Sequence, residues 1–314
     1  MKFIDGESIY SLADYKQLVE VAKRSLFDLS SNRVTVPQRI HINANTLNAT
    51  YLFMPVFSER LNRVACKYVG VCEKNKELDK PSINGVLTLA NAKTGIVEFM
   101  FDAAALTAVR TAAISAASID ILSKKESEII SVFGSSTQAY TQIIAACDIR
   151  DIKKVHIYYR TKSKAEELCS NLKDKIKSEI QLVDNLSHLG ESDIIIAATN
   201  TKTPLFYLKD VKLKQGVHIS AIGSFKKDMQ EIDEEIYEKF DVFADHKESC
   251  IKESADITVP LSKGLINKND ITEMGSLPEN IAASYRSKNT IFKSVGNAAF
   301  DLYVADHISK LIES

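Results

Sequence analysis

The chain has 314 residues, 45% of them hydrophobic and 26% charged, with a formal net charge of −1. That length exceeds the roughly 250–300 residues at which single cores split, so two domains are expected. Near-neutral charge removes any bulk attraction to nucleic acid or anionic membranes. No run approaches the roughly 18 consecutive apolar residues of a membrane span. The start, MKFIDGESIY, lacks the apolar core of a signal peptide. Cysteines at 66, 72, 147, 169 and 250 are odd in number and form no CxxC pair, which argues against a disulfide framework or structural zinc. The six histidines show no i,i+4 pairing, so no metal site is expected. A cytoplasmic location is the natural expectation.

In chain order, RVTVPQRIHIN (33–43), ATYLFMP (49–55), RVACKYVGV (63–71), NGVLTLAN (84–91) and GIVEFMF (95–101) read as mostly antiparallel strands joined by short turns. An alanine-rich helix follows over about 103–123. Then the pattern alternates. EIISVFG (128–134) is an apolar run ending in glycine, and TQAYTQIIAACDI (137–149) has helical spacing. KKVHIYY (153–159) is strand-like, and 163–176, with Lys162 before it, is an amphipathic helix presenting Ala165, Leu168, Cys169 and Leu172. IQLVD (180–184), SDIIIAATN (192–200), VHISAIGS (217–224) and KFDVFADH (239–246) read as further strands. Such strands between helices imply a parallel sheet covered on both faces. Residues 296–314 are helical again and are expected to pack on the first part. The fold class is therefore α/β: a Rossmann-type doubly wound parallel sheet over 120–295, and a second, α+β domain from 1–119 with 296–314.

VFGSSTQAYTQ (132–142) lies where a first βα turn holds a pyrophosphate on backbone N–H groups at a helix N-terminus. Gly134 supplies the turn, Ser136 replaces a second glycine, and Ala139 is small enough for the third position. Ser135, Ser136 and Thr137 would add hydroxyl donors. One glycine also suits an ordinary strand-to-helix turn. The second strand discriminates further. NAD-binding chains usually place Asp or Glu at its end, about 20 residues past the glycines; here stand Tyr158, Tyr159, Arg160, Thr161 and Lys162. Arg160, helped by Lys162 and Ser163, suits a 2′-phosphate and favours NADP(H), with NAD(H) the alternative. A solvated basic helix start is the bland reading. Thr199, Asn200 and Thr201 end the fourth parallel strand and Ile222, Gly223 and Ser224 the fifth, where loops meet a cofactor. Any of these hydroxyls could instead be a helix cap.

Lys67 sits mid-strand among Ala65, Cys66, Tyr68 and Val69, where burial is costly unless it meets an anion. Burial would also bring its pKa down toward that of a useful proton donor or acceptor; an edge-strand lysine reaching for water is the alternative. Arg110, in the alanine-rich helix, reads as a site cation or as half of a structural salt bridge. Arg39 by itself is uninformative.

Four ordered stretches resemble the ornithine cyclodeaminase/mu-crystallin family almost end to end: LTAVRTAA (106–113), GSSTQA (134–139) against the family's GxGxQA loop, HISAIGSFKKDMQEID (218–233) and TIFKSVGNAAFDL (290–302). NAKTG (91–95) resembles the family's hairpin turn. The resemblance implies a homodimer built through the first domain, an active site in the cleft between domains, and hydride transfer between a nicotinamide and an amino or imino acid. It implies that Arg39, Lys67 and Arg110 hold the substrate carboxylate. It also implies that Ser82 lies near the nicotinamide and that Ser294 and Val295 lie against its ring. Gln138 joins the loop residues in the expected cofactor set, to which Arg110 also belongs.

The chain departs from the cyclodeaminase branch at Phe225, where that branch has an aspartate thought to act as acid/base in ring closure. Asp228, three positions later, is no automatic replacement. A phenylalanine transfers no proton, and the wording GSFxxDMQE resembles ketimine or Δ1-pyrroline-2-carboxylate reductases. An NADPH-dependent reductase of α-imino acids, with Lys67 as proton donor, is therefore the leading expectation. An alanine-type dehydrogenase, a true ornithine cyclodeaminase, a siderophore-pathway dehydrogenase and a non-enzymatic crystallin-like protein are its rivals.

Overall fold

The computed structural model describes residues 1–313. They form two compact units: 1–110 with the segment from Asn297 onward, and 111–296. The division falls earlier in the chain than the expected 119/120.

The first unit opens with β1 (Lys2–Ile4), α1 (Gly6–Ser11) and α2 (Tyr15–Ser30). Asp14 caps α2 by accepting the N–H groups of Lys16 and Gln17, and Leu18, Val19, Ala22, Leu26 and Leu29 recur at helical spacing on its buried face. None of these three elements was expected from the sequence. The sheet continues with β2 (Ile40–Ala44), β3 (Ala49–Ser58), β4 (Arg63–Cys72), β5 (Ile83–Asn91) and β6 (Val97–Asp102), in the order β1-β6-β5-β4-β3-β2. All its pairings are antiparallel except β1 with β6. The expected strand 33–43 begins only at Ile40. Pro37 has no N–H to give a ladder, and upstream of it Thr35 makes an isolated bridge to Phe57.

Helix α3 (Ala103–Leu122) starts in the first unit and continues into the second. Its length and composition would suffice to cross a bilayer, contrary to the sequence expectation, but most of it is buried in protein and it is a core helix.

The second unit contains β7 (Ile129–Phe133), α4 (Thr137–Ile149), β8 (Lys154–Tyr158), α5 (Lys162–Leu172), β9 (Glu179–Val183), β10 (Ile194–Ala197) and β11 (His218–Ala221). There follow α6 (Glu234–Lys239), β12 (Asp241–Ala244), α7 (Lys247–Glu253), α8 (Ala255–Ser262), β13 (Ile271–Glu273), α9 (Glu279–Tyr285) and β14 (Thr290–Lys293). Every pairing is parallel, in the order β13-β12-β14-β11-β10-β7-β8-β9. Side chains alternate across it: Ile194 and Ile196 join one core with α4 and α5, while Ile195 and Ala197 join another with α6 to α8. The chain runs from β7 out to β9 and then returns to β10 on the other side of β7. That reversal is a topological switch point, the place where open α/β sheets bind ligands beyond their strand ends. The sequence reading missed β13 and β14, which are short, and β14 ends in a buried lysine.

Helix α10 (Ala298–Glu313) belongs to the first unit and packs on α2 and on β3, β4 and β5.

Candidate active site

Strand alternation aims Arg63, Ala65 and Lys67 of β4 into the protein, toward the side covered by α10. Lys67 is 3% exposed. Its ammonium donates to Asp301 Oδ2 at 2.7 Å and to Thr107 Oγ1 at 3.2 Å. Asp301, in the first turn of α10 and fully buried, accepts the Nε–H of Arg110 at 3.1 Å through its other oxygen. Burial pushes the Lys67 pKa down to about 8; the Asp301 charge opposes this, and the positive charges of Arg110 and Arg39 add to it. Burial would raise the Asp301 carboxyl, but Lys67 and Arg110 outweigh it and hold that group below the usual carboxylate range.

Arg110 and Arg39 thus both lie within electrostatic reach of Lys67, and Lys67 and Arg110 share a carboxylate that the sequence pattern does not single out. Arg110 forms a buried salt bridge with Asp301, which it shares with Lys67. The missed signal was an aspartate inside the apolar helical run AAFDLYVA. Arg39 is half-buried and lies just before β2. Ser82 precedes β5, where its carbonyl accepts the N–H of Cys72.

The second unit gathers most of the expected cofactor residues at the C-terminal ends of its strands. Gly134 follows β7 with φ +125°, and a Cβ there would come within 2.7 Å of the Ala198 carbonyl oxygen. Only glycine fits that close crossing of the β7 and β10 ends. Ser135 and Ser136 complete the turn, and α4 starts at Thr137. Ser136 takes the N-cap position but makes no side-chain capping bond, and the amide oxygen of Gln138 is buried without a hydrogen-bond partner. A positive-φ glycine and an idle cap hydroxyl at a helix N-terminus fit the phosphates of a dinucleotide. The Gly134 N–H donates to the Tyr158 carbonyl, which sets the end of β8 beside this turn. Arg160 and Thr161 follow β8 on the exposed surface at the start of α5.

Two buried carboxylates absent from the sequence reading hold the remaining loops. Glu231 accepts from Thr199 and from the N–H groups of Gly223 and Ser224. Asp245 accepts from Ser294 Oγ and the N–H groups of Val295 and Gly296. Asn200 and Thr201 follow Thr199, and the Thr201 carbonyl accepts the N–H of Gln230. Phe225 is exposed with Lys226 over its ring, and Asp228 pairs with Lys202 in solvent.

An all-parallel doubly wound sheet with a glycine turn at its switch point defines a Rossmann-type α/β protein. The family model described as "Ornithine cyclodeaminase/mu-crystallin family" matches residues 4–314, and the chain belongs to that family. A Δ1-pyrroline-2-carboxylate reductase of Bacillus cereus is 31% identical over 98% of this chain and 95% of its own. The ketimine reductase mu-crystallin of Rattus norvegicus is 28% identical over 80% of this chain and 77% of its own. Among solved structures, the Thermococcus litoralis Δ1-pyrroline-2-carboxylate reductase in complex with NADH and L-proline superposes with a TM-score of 0.90 at 28% identity, covering 100% of this chain and 98% of that one.

Proposed function

We propose that the protein reduces cyclic α-imino acids such as Δ1-pyrroline-2-carboxylate with a nicotinamide dinucleotide. The observation that carries this reading is the buried Lys67 ammonium, brought to a pKa of about 8 beside Arg110 and Asp301. The nicotinamide, when bound, supplies a hydride to the imine carbon. Arg110 and Arg39 hold the substrate carboxylate, which fixes the ring for reaction. Lys67 donates the proton that the imine nitrogen gains, and recovers it from solvent. A pKa of about 8 keeps the ammonium charged at neutral pH yet ready to give up its proton. The relatives' names and the complex of the Thermococcus enzyme with NADH and proline support the same chemistry. Ring closure of ornithine is disfavoured here, because Phe225 has no proton to move and Asp228 points into solvent toward Lys202.

The turn at Gly134 to Gln138, the loops at Thr199 to Thr201 and at Ile222 and Gly223, and Ser294 are assigned to the dinucleotide. Arg160 and Thr161 favour NADP(H) through its 2′-phosphate. Oxidation of NADPH and of NADH with Δ1-pyrroline-2-carboxylate or Δ1-piperideine-2-carboxylate tests the reading. Turnover with preference for NADPH is expected; no turnover with either cofactor would overturn it.

A homodimer is proposed through the first sheet. Strand alternation leaves Ile40, Ile42, Tyr51, Phe53, Val64 and Tyr68 on the side away from α10, with Ile40 57% exposed. A second copy of this apolar face would cover it; a single-chain mass in solution would contradict that. The five cysteines are all free, which supports a reducing cytoplasm.

A further inference from the structure

The motif after β11 contains three acids, Asp228, Glu231 and Asp233. Asp228 faces solvent, and Asp233 caps α6. Glu231 is different: it is fully buried and bridges two loops. Its Oε1 accepts the N–H of Thr199 at 2.6 Å and the Thr199 hydroxyl at 2.7 Å. Its Oε2 accepts the N–H groups of Gly223 at 2.7 Å and Ser224 at 2.9 Å. The backbone N–H groups of Glu231 and Ile232 donate in turn to Asp256 Oδ1. Asp256 Oδ2 takes the ammonium of Lys293, the last residue of β14, at 2.9 Å. One buried chain of charges thus ties together the ends of β10, β11 and β14.

The packing leaves no slack. A Cβ on Gly223 would meet the Thr199 carbonyl oxygen at 2.1 Å and both Thr199 N and Glu231 Oε1 at 2.5 Å. Three of the four donors to Glu231 are backbone N–H groups, which cannot turn round to become acceptors. The site therefore demands a group that only accepts, on both of its oxygens.

We infer that Glu231 is a positioning residue for the dinucleotide: it sets the spacing of the loops after β10 and β11 and acts on the reaction through them. This rests on the proposed use of a nicotinamide cofactor. It gives a role to an acid that neither the carboxylate clamp nor the proton transfer uses. Preorganised loops of this kind raise affinity because binding need not order them.

The direct test is Glu231→Gln. The amide keeps the shape but turns an NH2 group toward at least one backbone N–H, so one loop must move. NADPH titration followed by nucleotide fluorescence on the folded variant should show Kd raised about tenfold or more, and KM for NADPH should rise with it. KM for the imino acid should stay unchanged, because Lys67 and Arg110 do not touch this network. Thr199→Val, which deletes one of the four hydrogen bonds, should raise Kd a few-fold even if Glu231→Gln fails to fold, and Thr199→Ser should restore it. A purely structural role would lower the melting temperature of these variants and leave the Kd of the folded protein unchanged; that result overturns the inference while the proposed function stands. Wild-type protein that binds neither NADPH nor NADH would overturn both.

Discussion

The two units bury the same kinds of charged side chain in opposite proportion. In the first, Lys67 and Arg110 share Asp301, and Arg39 adds a further positive charge nearby. In the second, Glu231 and Asp256 face Lys293, and Asp245 collects the backbone N–H groups of Val295 and Gly296. The second cluster is complete as it stands, because backbone N–H groups together with Thr199, Ser294 and Lys293 fill its carboxylates. The first carries more positive than negative charge, and its ammonium is held well below the ordinary lysine pKa. A buried cation excess is costly until an anion arrives. A substrate carboxylate is the anion that would balance it. On the proposed function, buried charge serves a ligand site in one unit and a scaffold in the other, and the sign of the excess charge distinguishes them.

The contrast breaks most sharply at Lys67. Lys67→Ala should lower kcat by about 10²–10⁴-fold, the usual worth of a general acid, while NADPH binding, measured by titration, stays intact. Lost cofactor binding would mean that the lysine serves the wrong unit. Asp301→Asn probes the charge balance next. Uncoupling a buried pair costs about 3–5 kcal/mol, read by chemical denaturation. The pH profile of that variant gives the sign. Reduction needs the charged ammonium, so wild-type kcat/KM should hold below about pH 8 and fall as pH rises through it. Asp301 raises the lysine pKa, so its loss should move that limb to lower pH; an unmoved limb would separate Asp301 from proton transfer. The smallest change is expected at the exposed Arg160. Arg160→Asp should shift the preference from NADPH toward NADH by about tenfold, equivalent to ~1.4 kcal/mol, and an unchanged ratio would remove the 2′-phosphate assignment.

Much of this was legible in the sequence. The alternation of apolar runs and helical spacings marks the parallel sheet, and the lone glycine in VFGSSTQA supplies the expected turn, which the structure forms at positive φ. Lys67 stood out because a lysine between apolar neighbours on a strand demands an anion. What stayed hidden were the partners. Asp301 lies 234 residues from Lys67, and Glu231 lies 32 from Thr199. Those contacts are set by tertiary packing, which leaves no local period to read. The N-terminal helices were overlooked although Asp14 and the Leu18-Ala22-Leu26-Leu29 spacing announce α2. The apolar alternation of 33–43 runs through Pro37 and so extends beyond the strand, which begins at Ile40. Short β14 is masked by Lys293, a charged residue whose burial the ion pair with Asp256 makes tolerable.

The cation excess around Lys67 is tested most directly by turnover of two rings that differ only in the carboxylate. With saturating NADPH, kcat/KM is compared for Δ1-pyrroline-2-carboxylate and for Δ1-pyrroline, which lacks the acid group. The expected result is efficient formation of proline from the first and a rate at least about 100-fold lower with the second, the loss expected when a buried charged partner goes unmatched. Equal rates would show that Arg39, Lys67 and Arg110 do not form a carboxylate site.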